Sequence, residues 1–133
     1  MMHGIELQSR REALSLSQDD LARLLNVNRL TISRWETGAR AIPEGINAEL
    51  ARLEDRVLEL TDRMIELVAG APNVSVLMVH SDQAAADAAH PEMDGSPPVL
   101  QRVAAARALV ELRAEGIGVN ILPAVVPSDS DGV

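Results

Sequence analysis

The sequence predicts a mainly α chain: a head of three short helices, one long heptad helix, and a small C-terminal α/β unit with two strands. Three observations predict it. Capping residues punctuate the N-terminal segment at the spacing of helix joints, an unbroken apolar seam runs from Ile46 to Leu67, and β-branched runs dense enough for strands appear only after Pro72. With 133 residues there is room for one ordinary domain or two small modules.

Ile5, Leu7, Arg11 and Leu14 are read as one face of a first helix ending near Leu14 and Ser15. Ser17 caps a second helix, with Gln18, Asp19 and Asp20 in the first turn, where acids suit the positive end of the helix dipole. Leu21, Ala22, Leu24 and Leu25 give that helix its apolar side, and Asn26, which tolerates the left-handed conformation, ends it. Asn28 caps a third helix that runs to about Thr37 and stops at Gly38. At about 100° per residue, Ile32 and Trp35 of this helix point inward. Leu30, Ser33, Arg34 and Thr37 point outward, with Arg29 beside them.

From Pro43 to about Ala69 the pattern becomes one long helix, opened by proline in its first turn and closed by Gly70-Ala71-Pro72. Ile46, Leu50, Leu53, Val57, Leu60, Met64 and Leu67 are separated alternately by 4 and 3 residues, a heptad seam widened by Leu58, Ile65 and Val68. At about 1.5 Å per residue the helix is roughly 40 Å long, more than a three-helix head covers. Leu50, Leu53, Val57, Leu60, Met64 and Leu67 are therefore expected to pair two chains, the other reading being that the seam packs inside one chain.

In the remainder, Val74–His80 and Val119–Val126 are strand candidates, the second demoted to an edge or bulge by Pro123. Asp82 caps a short alanine-rich helix to about Ala89, and Ser96-Pro97-Pro98 opens a longer helix that Gly116 ends. Two strands alone make no stable sheet, so helices or the strands of a second chain must complete it. The expected organisation is a head over 1–42, a linking and dimerising helix over 43–70, an α/β unit over 71–126 and a disordered tail over 127–133.

Composition narrows the chemistry. Aromatics make up 1% of the chain, a single Trp with no Phe or Tyr, which largely excludes the stacking platforms that hold single strands or RNA. The absence of Cys removes disulfides, thiolate catalysis and Cys-based zinc sites. No apolar run reaches the roughly 18 to 20 residues of a membrane span, and Met1–Glu6 lacks a basic segment followed by an apolar one, so a cytoplasmic protein is expected. His80, Asp82, Asp87, His90 and Glu92 cluster in sequence but match no metal-ligand spacing, and no phosphate-cradling glycine loop follows a strand. No metal, cofactor or catalytic residue is expected. The net charge is −8, with residues 1–43 at +1 and residues 44–133 at −9, so the acid lies in the second part.

Residues 17–38 resemble the helix-turn-helix of the phage repressor and Cro family, the lambda-repressor-like or xenobiotic-response-element type. The matching residues are Ser17-Gln18 with Leu21-Ala22, then Val27, Ile32-Ser33-Arg34 and the ending Glu36-x-Gly38, with Arg11 in the helix before them. Asn26 stands where the family commonly has Gly, Thr37 where Asn is common, and one long helix replaces the family's fourth and fifth short ones.

The resemblance implies binding to double-stranded DNA, with Arg29, Leu30, Ser33 and Arg34 on base edges and Gln18, Thr37 and Arg40 at phosphates. It also implies a structural ion pair between Arg11 and Glu36. The residues themselves suit this role, since arginine bonds two guanine acceptors at once, small hydroxyls adapt, and Leu30 fits a thymine methyl. The expected function is a repressor-type regulator from a bacterium or phage, acting as a homodimer. The alternative is an antitoxin-like protein whose acidic C-terminal unit binds another protein.

Overall fold

A computed structural model of the chain describes residues 1–71, 76–93 and 95–124. The expected beginning of the first strand, the end of the second and the tail over 127–133 lie outside the described residues. The chain is mainly helical, as its sequence predicts, and divides into two compact units, Met1–Leu60 and Thr61–Val133. No described helix is long and apolar enough to cross a membrane.

The first unit begins with α1 (Gly4–Ala13), α2 (Gln18–Leu25) and α3 (Arg29–Thr37). Their ends follow from local chemistry. Ser17 accepts the Asp20 backbone N–H at 3.0 Å while the Asp20 carboxylate accepts the Ser17 N–H at 3.0 Å, a reciprocal capping box. Asn26 closes α2 in the left-handed conformation, φ 56° and ψ 45°, with the Val27 N–H reaching back to Ala22 O at 2.9 Å. Ser15 closes α1 in the same way at φ 56°. The Asn28 side chain caps α3 by accepting the Thr31 N–H at 2.9 Å, and Gly38 ends that helix at φ 82°.

Leu7, Leu14, Leu16, Leu21, Ala22, Ile32, Trp35 and Ile42 are buried and form the apolar centre of the head. Ile5 departs from the expected face and is 67% exposed. The reason is angular: Leu7, Arg11 and Leu14 are spaced by 4 and 3, but two residues along a helix turn through about 200°, so Ile5 faces away from Leu7.

The long helix α4 spans Gly45–Ala69, its N-terminal part in the first unit and its last turns in the second. Arg10 ties α1 to α4 with a forked contact to the Glu54 carboxylate and a 2.6 Å bond from Nη1 to Asn47 Oδ1. The seam expected to join two chains is filled within one: Leu50, Leu53, Val57, Leu60 and Met64 are all buried. Leu67 is 63% exposed and Val68 takes the inward place at 2%. A straight helix drifts about 20° per heptad, so two and a half heptads after Leu50 the inward direction has passed from position 67 to position 68. Leu67→Gln should therefore change stability by no more than about 0.5 kcal/mol, measurable as an unchanged midpoint of denaturant unfolding.

In the second unit, β1 (Val76–Val79) and β2 (Asn120–Pro123) pair in parallel within the chain, with Leu77 opposite Ile121 and Met78 opposite Leu122. The crossover runs through α5 (Gln83–Ala89), a 3-10 turn at Pro91–Met93, and α6 (Val99–Ala114), which packs on both strands. Asp82 caps α5 by accepting the Ala85 N–H at 2.9 Å. Gly116, at φ 82°, ends the α6 segment with the Ile117 N–H returning to Leu112 O at 2.9 Å. Leu100, Ala104, Ala105, Ala108 and Leu112 line the buried side of α6, and alanine at three of these positions lets the helix approach its neighbours closely.

Candidate nucleic-acid interface

The site is built on α3, whose two sides do different work. Ile32 is fully buried and Trp35 is 4% exposed, which anchors the helix to the head. The indole N–H of Trp35 is buried without a hydrogen-bond partner among the described residues, so the ring contributes through apolar area alone. On the outer side Arg29, Leu30, Arg34 and Thr37 are exposed and Ser33 is half-buried. Leu30, at 55% exposure, is a large apolar side chain held in solvent among cations.

Arg40 follows in the loop after Gly38, and its N–H donates to Arg34 O at 3.1 Å, which fixes the loop against the last turn of α3. The Thr37 hydroxyl donates to the same carbonyl at 3.3 Å. Among the described residues the guanidinium groups of Arg29, Arg34 and Arg40 make no ion pair or side-chain hydrogen bond. Of the other arginines of the head, Arg10 is held by Glu54, Glu6 and Asn47 and Arg11 by Glu36, while Arg23 is 80% exposed and lies 3.8 Å from Asp20. Among the described residues the arginines of the head with neither an ion pair nor a side-chain hydrogen bond are thus those on α3 and in the loop after it.

Behind this face a polar network joins the three helices. Arg11 Nε donates to Glu36 Oε2 at 2.7 Å and Nη2 to Oε1 at 3.0 Å, a bidentate pair, while Nη1 donates to Leu16 O at 2.8 Å. Gln18 Nε2 donates to Glu36 Oε1 at 3.0 Å. The Glu36 side chain is only 4% exposed. Burial pushes its carboxyl upward, but the hydrogen bonds from Arg11 and Gln18 and the guanidinium charge outweigh this and hold it below the usual carboxylate range. The hydrogen bonds to Glu36 push Arg11 up against its own desolvation.

Two contacts of this region have weak or no sequence signals. Gln18, expected at a phosphate, also belongs to the network: Glu36 takes one of its amide hydrogens and leaves the other at the first turn of α2. Gly4 is the second. A Cβ there would lie 2.3 Å from Glu36 O and 2.5 Å from Trp35 O, so α1 begins directly on the C-terminal end of α3 and only glycine permits the approach. Gly4→Ala should force the two helices apart at a cost of about 1 to 3 kcal/mol, seen as a lower thermal midpoint of the head.

The histidine and acid cluster noted in the sequence lies in the second unit. His90 Nδ1 is 3.1 Å from Glu92 Oε1, which Arg63 Nη1 also meets at 2.9 Å, and the His80 ring stands edge-on to that of His90 at 6.3 Å. Among the described residues no group of three or more such side chains is placed to hold a metal ion.

Residues 7–53 match the family model described as helix-turn-helix, a match that runs from α1 into the first turns of α4. This segment is a helix-turn-helix of the Cro and repressor type, a class associated with DNA binding and transcription regulation. No curated protein matches the chain.

Proposed function

We propose that this helix-turn-helix chain is a sequence-specific regulator of repressor type that reads the major groove of double-stranded DNA with α3. Arg29, Leu30, Ser33 and Arg34 meet base edges, while Gln18, Thr37 and Arg40 hold phosphates on either side. The observation that carries this reading is the separation of arginines within the head: among the described residues the exposed ones of α3 and its following loop make no ion pair or side-chain hydrogen bond, while Arg10 and Arg11 are consumed inside. Arg11 and Glu36 act as a positioning pair that sets α3 against α1.

Residues 1–43 carry a net charge of only +1, so a single head neutralises little of the phosphate charge. Two heads are needed for useful affinity, which makes the working form a homodimer whose half-sites repeat at about 10 base pairs or a multiple. The place of action is the cytoplasm, where the chromosome lies. Selecting binding sites from random duplex DNA tests the reading. Enrichment of a two-fold repeated sequence at that spacing is the expected result; retention of all duplexes alike, or of none at low salt, would reject it.

A further inference from the structure

Burial of the heptad seam within one chain leaves the working form without the helical joint its sequence suggested, and the second unit offers another. Among the described residues its sheet has two strands, covered on one face by α6. The Ala124 N–H donates to Val79 O at 2.7 Å, with Val79 in register with Pro123. By the alternation of a parallel ladder, Leu77 and Val79 turn their backbone groups toward β2, while Val76 and Met78 turn theirs away. The next outward amide, that of His80, is taken by Gln101 Oε1 at 3.2 Å, and Gln101 is itself buried at 2%. Among the described residues the outward edge of β1 is thus closed at His80 and open at Val76 and Met78. The outer edge of β2 is blunted by Pro123, which has no N–H to give.

We infer that β1 pairs antiparallel with β1 of a second copy of this chain, about a two-fold axis through Leu77. The strand is self-complementary in that register. Val76 lies opposite Met78 of the partner copy, and each exchanges a reciprocal pair of backbone hydrogen bonds with the other. Val76–Val79 carries no charge, so in a chain of net charge −8 this edge is a place where two copies meet without placing like charges face to face.

The side-chain faces also agree. Met78 and Leu122, opposite each other in the sheet and 57% and 47% exposed, join their counterparts in one apolar face of four strands. On the other face α6 lies across both strands of its own copy, so adding two strands at about 4.8 Å spacing brings the second α6 to roughly 10 Å, the distance at which helices pack. That contact adds apolar area to the short strand pairing.

This inference rests on the paired-head reading for its purpose but not for its test, which is the mass of the full chain in solution without DNA. Met78→Glu sets a carboxylate into the apolar joint and should raise the dimer dissociation constant about tenfold or more. The double variant Val76→Lys with Met78→Glu places opposite charges across the axis and should restore the dimer. The chain has no native cysteine, so mixing Val76→Cys with Met78→Cys should give a cross-linked heterodimer under mild oxidation, with neither variant cross-linking alone. A monomeric wild-type chain, or a dimer indifferent to all of these changes, would overturn the inference. A dimer that responds as described but retains no DNA would leave it standing and reject the functional reading instead.

Discussion

Glu36→Ala unfolds or loosens the head, at a cost of about 3 to 5 kcal/mol, because it leaves the Arg11 guanidinium buried without its counter-charge. Arg11 is 9% exposed and retains only the Leu16 carbonyl as a strong partner once the carboxylate is gone. Glu36→Gln should cost less, since an amide oxygen still accepts one of the Arg11 bonds, and the difference between the two variants isolates the charge. The linkage to pH follows in sign. The folded Glu36 carboxyl lies below its ordinary value of 4.5, so its contribution is complete above that pH and is lost as the pH falls through the lower folded value. Denaturant unfolding of the wild type should therefore weaken progressively below about pH 4.5, and the slope should shrink in Glu36→Gln.

Arg34→Ala should cost about 1 to 3 kcal/mol of affinity for the selected operator and relax the preference at one base pair of each half-site. The fold is not at stake in this variant. Arg34 is exposed, its guanidinium has no partner among the described residues, and its contacts to Thr37 and Arg40 go through the backbone carbonyl, which alanine keeps. Arg40→Ala provides the contrast: removing a cation from a phosphate weakens all duplexes nearly alike and lowers the salt dependence by about one counterion. An unchanged preference in Arg34→Ala, measured by repeating the site selection, would remove Arg34 from the base readers.

Where local chemistry decides the structure, the sequence was legible. Ser17, Asn26, Asn28, Gly38, Asp82 and Gly116 act through their own side chains or their own φ, and each stands at or within a residue of the helix end it was expected to mark. The inward face of α3 was readable for the same reason, since Ile32 and Trp35 share one helical side. Periodicity became misleading where the answer depends on what lies opposite. An apolar stripe on α4 states that something covers it, not whether the cover belongs to the same chain, and the heptad reading of Leu67 assumed a supercoil that this helix does not need.

The polar network behind α3 was only partly visible. Arg11 and Glu36 are 25 residues apart and came from a resemblance, while the bond from Gln18 to Glu36 and the fork from Arg10 to Glu54 depend on tertiary approach. Gly4 is the clearest case of hidden information. Its requirement comes from carbonyl oxygens of Trp35 and Glu36, more than thirty residues away, and nothing in the residues around it announces them.

Methylation interference on the selected duplex asks most directly whether α3 lies in the major groove, because a methyl group on guanine N7 blocks that groove alone. Modified guanines should be excluded from the bound fraction at matching positions of both half-sites, and Arg34→Ala should lose the exclusion at one of them. Equal recovery of N7-methylated and unmodified duplex would contradict the account.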